Sequence, residues 1–137
     1  MTPKDTDKAL DYRLSEYRSK YPIDIAYPSV SYEPRVGTAF LTIDYLHGES
    51  YQVELGTESD DRDVGIYQIT LNTENNRGSL EASTIITQLK EFFKRGTVAS
   101  YNGLNVRITN FSLGSYDSSG DWYREVVNIT YRADLAN

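Results

Sequence analysis

The one histidine of this 137-residue chain, His47, lies in the stretch Leu46-His47-Gly48-Glu49-Ser50. An imidazole among acids could act as a general base. A catalytic triad also needs a nucleophile and an orienting group in fixed relation to it, and spacing places neither, so the default reading is an exposed histidine in a bend. Glu58-Ser59-Asp60-Asp61-Arg62-Asp63 and Asp117-Ser118-Ser119-Gly120-Asp121 look like fragments of calcium loops. An EF-hand loop requires ligands at alternate positions, a central glycine, a final bidentate acid and flanking helices. Neither stretch has that set, and a solvated charged loop is the expectation at both. A paired-carboxylate glycosidase needs two acids held across a cleft, for which a two-layer domain of this size offers little material. With no cysteine there is no disulfide, thiolate nucleophile or cysteine-based zinc site. The glycines fall at turns and form no phosphate-cradling loop. No catalytic, metal-binding or cofactor-binding residue is expected, and the chain does not read as an enzyme.

Twelve tyrosines stand against four phenylalanines and one tryptophan. Tyrosine suits strands and wet interfaces, because its ring packs while its hydroxyl stays solvated. Tyrosine-rich strands could stack nucleic-acid bases, but such platforms sit in basic grooves, and this chain carries a net charge of −6. Residues 1–68 hold 13 acids and 7 bases, whereas residues 69–137 hold 7 of each. The window 44–63 alone holds seven acids and one base, Arg62. Affinity for nucleic acid depends on neutralising phosphates, so tight binding is not expected. Arg124 and Arg132 alternate with Val126, Asn128 and Thr130 on the last strand, as on a solvent or partner face. The apolar runs are too short to span a membrane, and the charged first residues lack a secretory h-region. A soluble, intracellular, globular chain is expected.

These residues must be positioned by a small set of elements. A first helix is predicted over about residues 3–20. Thr2 is its cap, Pro3 its first position, Asp5 and Asp7 lie near its positive end, and Leu10, Leu14 and Tyr17 form one apolar stripe. Tyr21-Pro22 ends it. Residues 23–27 read as a short strand, followed by an extended connection between Pro28 and Pro34. Strands are predicted at 37–46, 50–55 and 65–73, with a bend at His47 and an acidic loop over 56–65. A second helix is predicted over about 79–94, burying Leu80, Ile85, Leu89, Phe92 and Phe93. Asn102-Gly103 marks a hairpin between 97–101 and 104–109. A loop at 114–121 precedes a long last strand with Tyr123, Val127, Ile129 and Tyr131 on one face. Successive strands favour antiparallel pairing. The expected architecture is one α+β domain over 1–137, two helices packed on one face of a mainly antiparallel sheet. The strand region around 38–71 is expected to project.

Tyr27-Pro28, Gly65-Ile66-Tyr67-Gln68, Phe93 through Gly96, Trp122-Tyr123 and Tyr131-Arg132-Ala133-Asp134 occur within this element order. Over nearly its whole length the chain resembles the phage tail terminator-like family, small head–tail joining proteins of tailed bacteriophages. The resemblance implies a virion structural protein of the tail or neck, assembled in the host cytoplasm. It would form a homo-oligomeric ring, usually a hexamer, that caps the tail tube and receives the head connector or stopper. Its partners would be further copies of itself, the tail tube protein and the connector, with DNA passing transiently through the pore and no membrane or cofactor involved. Edge strands suit pairing across subunits. Leu41, Ile43, Tyr45, Tyr51 and Val53 are the candidate subunit-contact strand residues, and the last strand is a further pairing edge. Glu58, Asp60, Asp61 and Asp63 are candidates to face the pore or a partner, where they would repel phosphate. The alternatives are another head–tail connector or tail-tube component, or a tyrosine-rich carbohydrate-binding module.

Overall fold

The structure is a computed structural model and describes residues 5–28, 31–34, 38–48, 51–52, 61–74, 79–119 and 122–135. Its elements run α1 (Asp5–Lys20), β1 (Asp24–Ala26), β2 (Phe40–His47), β3 (Tyr51–Gln52), β4 (Asp61–Glu74), α2 (Ser79–Phe92), β5 (Val98–Tyr101), β6 (Leu104–Ser119) and β7 (Trp122–Leu135). Asp5 and Asp7 open α1, and Arg18 and Lys20 close it, each charge matched to the helix dipole. Leu10, Leu14 and Tyr17 are buried as one stripe. Thr2 and Pro3 lie outside the described residues. On α2, Ala82 and Leu89 are buried, with Phe93 just beyond its end, while Ile85 and Phe92 pack partly buried against the same core. Asn102 and Gly103 have φ of 52° and 82°. Positive φ at both central residues gives the turn that matches strand twist, and it sets the pairing of Val98 with Arg107 through Tyr101 with Leu104.

The strand order is β1-β2-β4-β7-β6-β5, with β3 pairing beside β2 along the same flank of β4. Leu41, Ile43 and Tyr45 share one face with Tyr67, Ile69 and Leu71, with Val127, Ile129, Tyr131 and Ala133, and with Val106 and Ile108. All are buried in one core with the apolar stripes of both helices. On the opposite face a smaller aromatic group forms, where Phe40 meets Tyr32 and the edge of Trp122.

This architecture corrects the expected fold class. The chain is mostly sheet, and the sheet is mixed and curled into a half-barrel, so two helices layered on an antiparallel sheet do not describe it. The mixed character comes from β1, which joins β2 in parallel. The curl is visible from α1. Asp11 on that helix bonds tyrosines of β2 and β4, and Tyr12 stacks on Tyr101 of β5. β2 and β5 are four strand spacings apart, roughly 19 Å in a flat sheet, so the sheet wraps the helix. Strands of 14 to 16 residues accumulate twist. Register shifts between Ile108 and Asn110 and between Leu113 and Tyr116 bend β6 further.

Region 38–71 does not project as expected. β4 is flanked by β2 and β7, and Tyr67, Ile69 and Leu71 are fully buried. β7 is central, not an edge. Two predicted loops are partly strand. β4 starts at Asp61, and β6 runs to Ser119, paired with Trp122. Cross-strand register with β7 overrides the polar composition that suggested loops in both places.

Candidate functional site

The N-terminal half of α1 carries two acids one turn apart, Asp7 and Asp11, that meet the end of the β2–β4 pair. Asp7 is almost fully buried, and its Oδ2 lies 2.7 Å from His47 Nε2. Asp11 accepts hydrogen bonds from both tyrosines that face it, Tyr45 at 2.6 Å and Tyr67 at 2.5 Å. Burial raises the Asp11 pKa above its ordinary value. The two tyrosine hydroxyls pull it down, and the neighbouring Asp7 carboxylate adds to the rise. Burial and the adjacent Asp11 likewise hold the Tyr45 and Tyr67 hydroxyls well above the usual phenol range. Tyr27 is pushed up to about 12 by burial and by the charge of Asp11. These hydroxyls therefore remain donors at every ordinary pH. The cluster is a clasp that ties α1 to β2 and β4.

His47 is thus the last residue of a strand, mostly covered and bonded to a carboxylate, and not an exposed bend residue. A histidine oriented by a buried aspartate is two-thirds of a triad. Among the described residues, however, the hydrogen bonds of His47 run only to Asp7. Sequence reasoning assigned Asp7 to the helix dipole alone. The available signal was its place on the 7-10-14-17 stripe: an acid in line with Leu10, Leu14 and Tyr17 must face the core and find a partner there.

The second candidate feature is the sheet margin. β5 covers only Leu104 to Arg107 of β6, so from Thr109 to Ser119 the outer side of β6 has no strand beside it among the described residues. β1 covers only Phe40 to Thr42 of β2, leaving Ile43 to His47 similarly open. Leu113 on the β6 margin and Leu46 on β2 are exposed.

Of the candidate contact residues, Leu41, Ile43 and Tyr45 are buried within the chain's own core. A neighbour could meet that strand only through its backbone margin and its outward residues, Asp44 and Leu46. Tyr51 opens β3 opposite Arg62, and Val53 lies outside the described residues. Asp61 and Asp63 begin β4, paired with Leu135 and Ala133. Glu58 and Asp60 lie outside the described residues. Arg132 lies directly opposite Arg107 on β6, a pairing that sequence alone did not bring together.

A family model described as phage tail terminator protein matches residues 6–131, from α1 through most of β7. The chain belongs to the phage tail terminator family. Its role is structural and lies in the phage tail; the family is not an enzymatic one. No curated protein matches this terminator-family chain significantly. Solved structures do, and one of them superposes with a TM-score of 0.71 at 19% identity, covering 100% of this chain and 98% of its own. At that identity the likeness shows the shared fold. No helix among the described residues is long and apolar enough to cross a membrane.

Proposed function

We propose that the chain forms a closed homo-oligomeric ring, hexameric as the family resemblance implies, that caps the tail tube and joins it to the head connector, with DNA passing through the pore. The observation that carries this reading is the open margin of β6, eleven residues from Thr109 to Ser119 with no strand beside them among the described residues. Open edges are templates for pairing with another chain. A second open margin, on β2, lies on the other flank of the sheet. Two different surfaces that meet head to tail generate a ring when the rotation closes. The acidic balance of −6 suits a conduit that must not retain DNA.

Light scattering over a wide concentration range, with negative-stain images of the same samples, tests this. Annular particles of one stoichiometry are expected. A strictly monomeric protein that also fails to join purified tail tubes overturns the reading.

A further inference from the structure

We propose that β2 of one copy of this chain pairs antiparallel with the open margin of β6 in the next copy, displaced by six residues along the strands, so that Leu46 of one copy stands opposite Asp117 of its neighbour. The inference rests on the ring reading and specifies its subunit contact. Pairing is antiparallel at β2–β4, at β4–β7 and at β7–β6, so β2 and β6 run in opposite directions. A cyclic assembly keeps the direction of every copy. A neighbour's β2 therefore arrives antiparallel to β6, the slightly more stable pairing. Leu46, at the free end of β2, is 45% exposed, and a strand laid beside it would cover it.

The displacement is set by what already covers each margin. Register carries straight across four strands: Ile43, Ile69, Val127 and Leu113 form one rung, and Tyr45, Tyr67, Ile129 and Phe111 another. Near the start of β7, β1 lies along Phe40 to Thr42 of β2. Near the end of β7, β5 lies along Leu104 to Arg107 of β6, and the Ile108 N–H donates to Thr97. At that same end β3 takes up the β2 flank of β4, opposite Arg62 and Asp61. With no displacement, β1 of one copy would occupy the place of the neighbour's β6 at Asp117, and β5 would occupy the place of β3. Successive rungs alternate faces, so only an even displacement keeps the helices of both copies on one side. A displacement of four toward Ser119 still overlaps β1 with Ser119 and β3 with Ile108. It also sets Asp44 opposite Asp117, and like charges in that position destabilise a sheet. A displacement of six clears both covers, with Asp44 through His47 running against Ser119 back to Tyr116 and β3 reaching Ser112 and Phe111. Six residues are about 20 Å along a strand, and four strand spacings are roughly 19 Å across. The resulting tilt is about 45°, at the steep end of the range of about 35–45° that lets a sheet close on itself.

The chain has no cysteine, so single-cysteine variants of the full chain can be crosslinked without background. L46C and D117C proteins are mixed before assembly and treated with a short bis-maleimide. A crosslinked L46C–D117C dimer is expected, with neither protein crosslinking alone. Its yield should exceed that from L46C mixed with N110C by about tenfold, because Asn110 and Asp117 lie about 20 Å apart along the strand. Asn110 is the residue that Leu46 would face with no displacement. A dominant L46C–N110C product overturns the proposal while leaving the ring intact. So does crosslinking of L46C alone or of D117C alone, which marks a two-fold contact of β2 with β2 or of β6 with β6. Amide hydrogen exchange of the wild-type chain, below and above its assembly concentration, supplies a readout that needs no variant. Protection gained on assembly at both 43–47 and 109–119 is expected. Rings that form with neither segment protected overturn the proposal. Wild-type protein that never leaves the monomer and never joins tails removes the ring reading itself.

Discussion

Asp11 is the residue on which the helix–sheet clasp turns, because one carboxylate serves two buried hydroxyls. Truncating it in D11A leaves Tyr45 and Tyr67 without their acceptor. Each orphaned hydroxyl should cost about 1–3 kcal/mol, measurable by urea unfolding at neutral pH. Its titration has a definite sign. The folded-state pKa is raised, chiefly by burial. Between the ordinary value of 3.8 and that raised value, the folded chain holds a proton that the unfolded chain releases. The stability linked to this proton is therefore full below the ordinary value and is lost as pH rises through the folded-state value. Unfolding free energies of wild type and D11N, compared from about pH 4 to about pH 7, should differ by an amount that changes in that direction. A constant difference would show that Asp11 does not titrate differently on folding. At Gly65 the constraint is steric. A Cβ there would lie 2.5 Å from the Tyr131 hydroxyl oxygen and 2.8 Å from the Leu46 carbonyl oxygen. G65A should destabilise by about 1–3 kcal/mol through overpacking, seen as a lowered thermal midpoint.

At the scale of elements, α2 depends on a small number of core anchors. Leu89 is fully buried, and L89A should cost about 2–5 kcal/mol, the range for buried leucines whose cavity cannot collapse. An unchanged melting midpoint would mean that α2 presents a different face. The β6 margin is the contrasting case. Leu113 is 55% exposed, so L113K should leave folding within about 0.5 kcal/mol of wild type. A lysine on an open edge opposes pairing with another chain. The expected outcome is a folded protein with impaired assembly, read by comparing the thermal midpoint with light scattering on one sample. Full assembly of L113K would shift the proposed contact away from this margin.

For the whole molecule, the curled sheet reconciles burial with the proposed assembly. Wrapping α1 places the apolar stripes of both helices against one sheet face, so the core closes within the chain. Among the described residues, stretches of the β6 and β2 margins have no strand beside them. On the ring reading proposed above, subunits fold alone and then associate through open strand margins and surface charge, so high salt should weaken association before it affects folding. Sedimentation of wild type in rising salt, beside unfolding curves in the same buffers, checks this order. Coincident loss of assembly and fold would instead indicate an obligate oligomer.

Local patterns determined a great deal about this chain. The stripe Leu10-Leu14-Tyr17, the Asn102-Gly103 turn and the alternation through Ile69 and Leu71 marked α1, the β5–β6 hairpin and β4, because capping, φ preference and side-chain period act over a few residues. The element order and the signatures from Tyr27-Pro28 to Asp134 pointed to the family that the match over residues 6–131 then showed. What required the tertiary structure was everything set by distant partners. Backbone pairing with β7 extended β4 back to Asp61 and β6 on to Ser119, through stretches whose composition reads as loop. Accumulated twist turned the expected two-layer packing into a half-barrel. Contacts across 34 to 56 residues gave Asp11 its tyrosines, and one across 40 residues gave His47 its carboxylate. The pairing of Arg107 with Arg132 exists only through the register of β6 on β7, 25 residues apart in sequence. Long-range register depends on the summed fit of whole strands, which no short window of sequence contains.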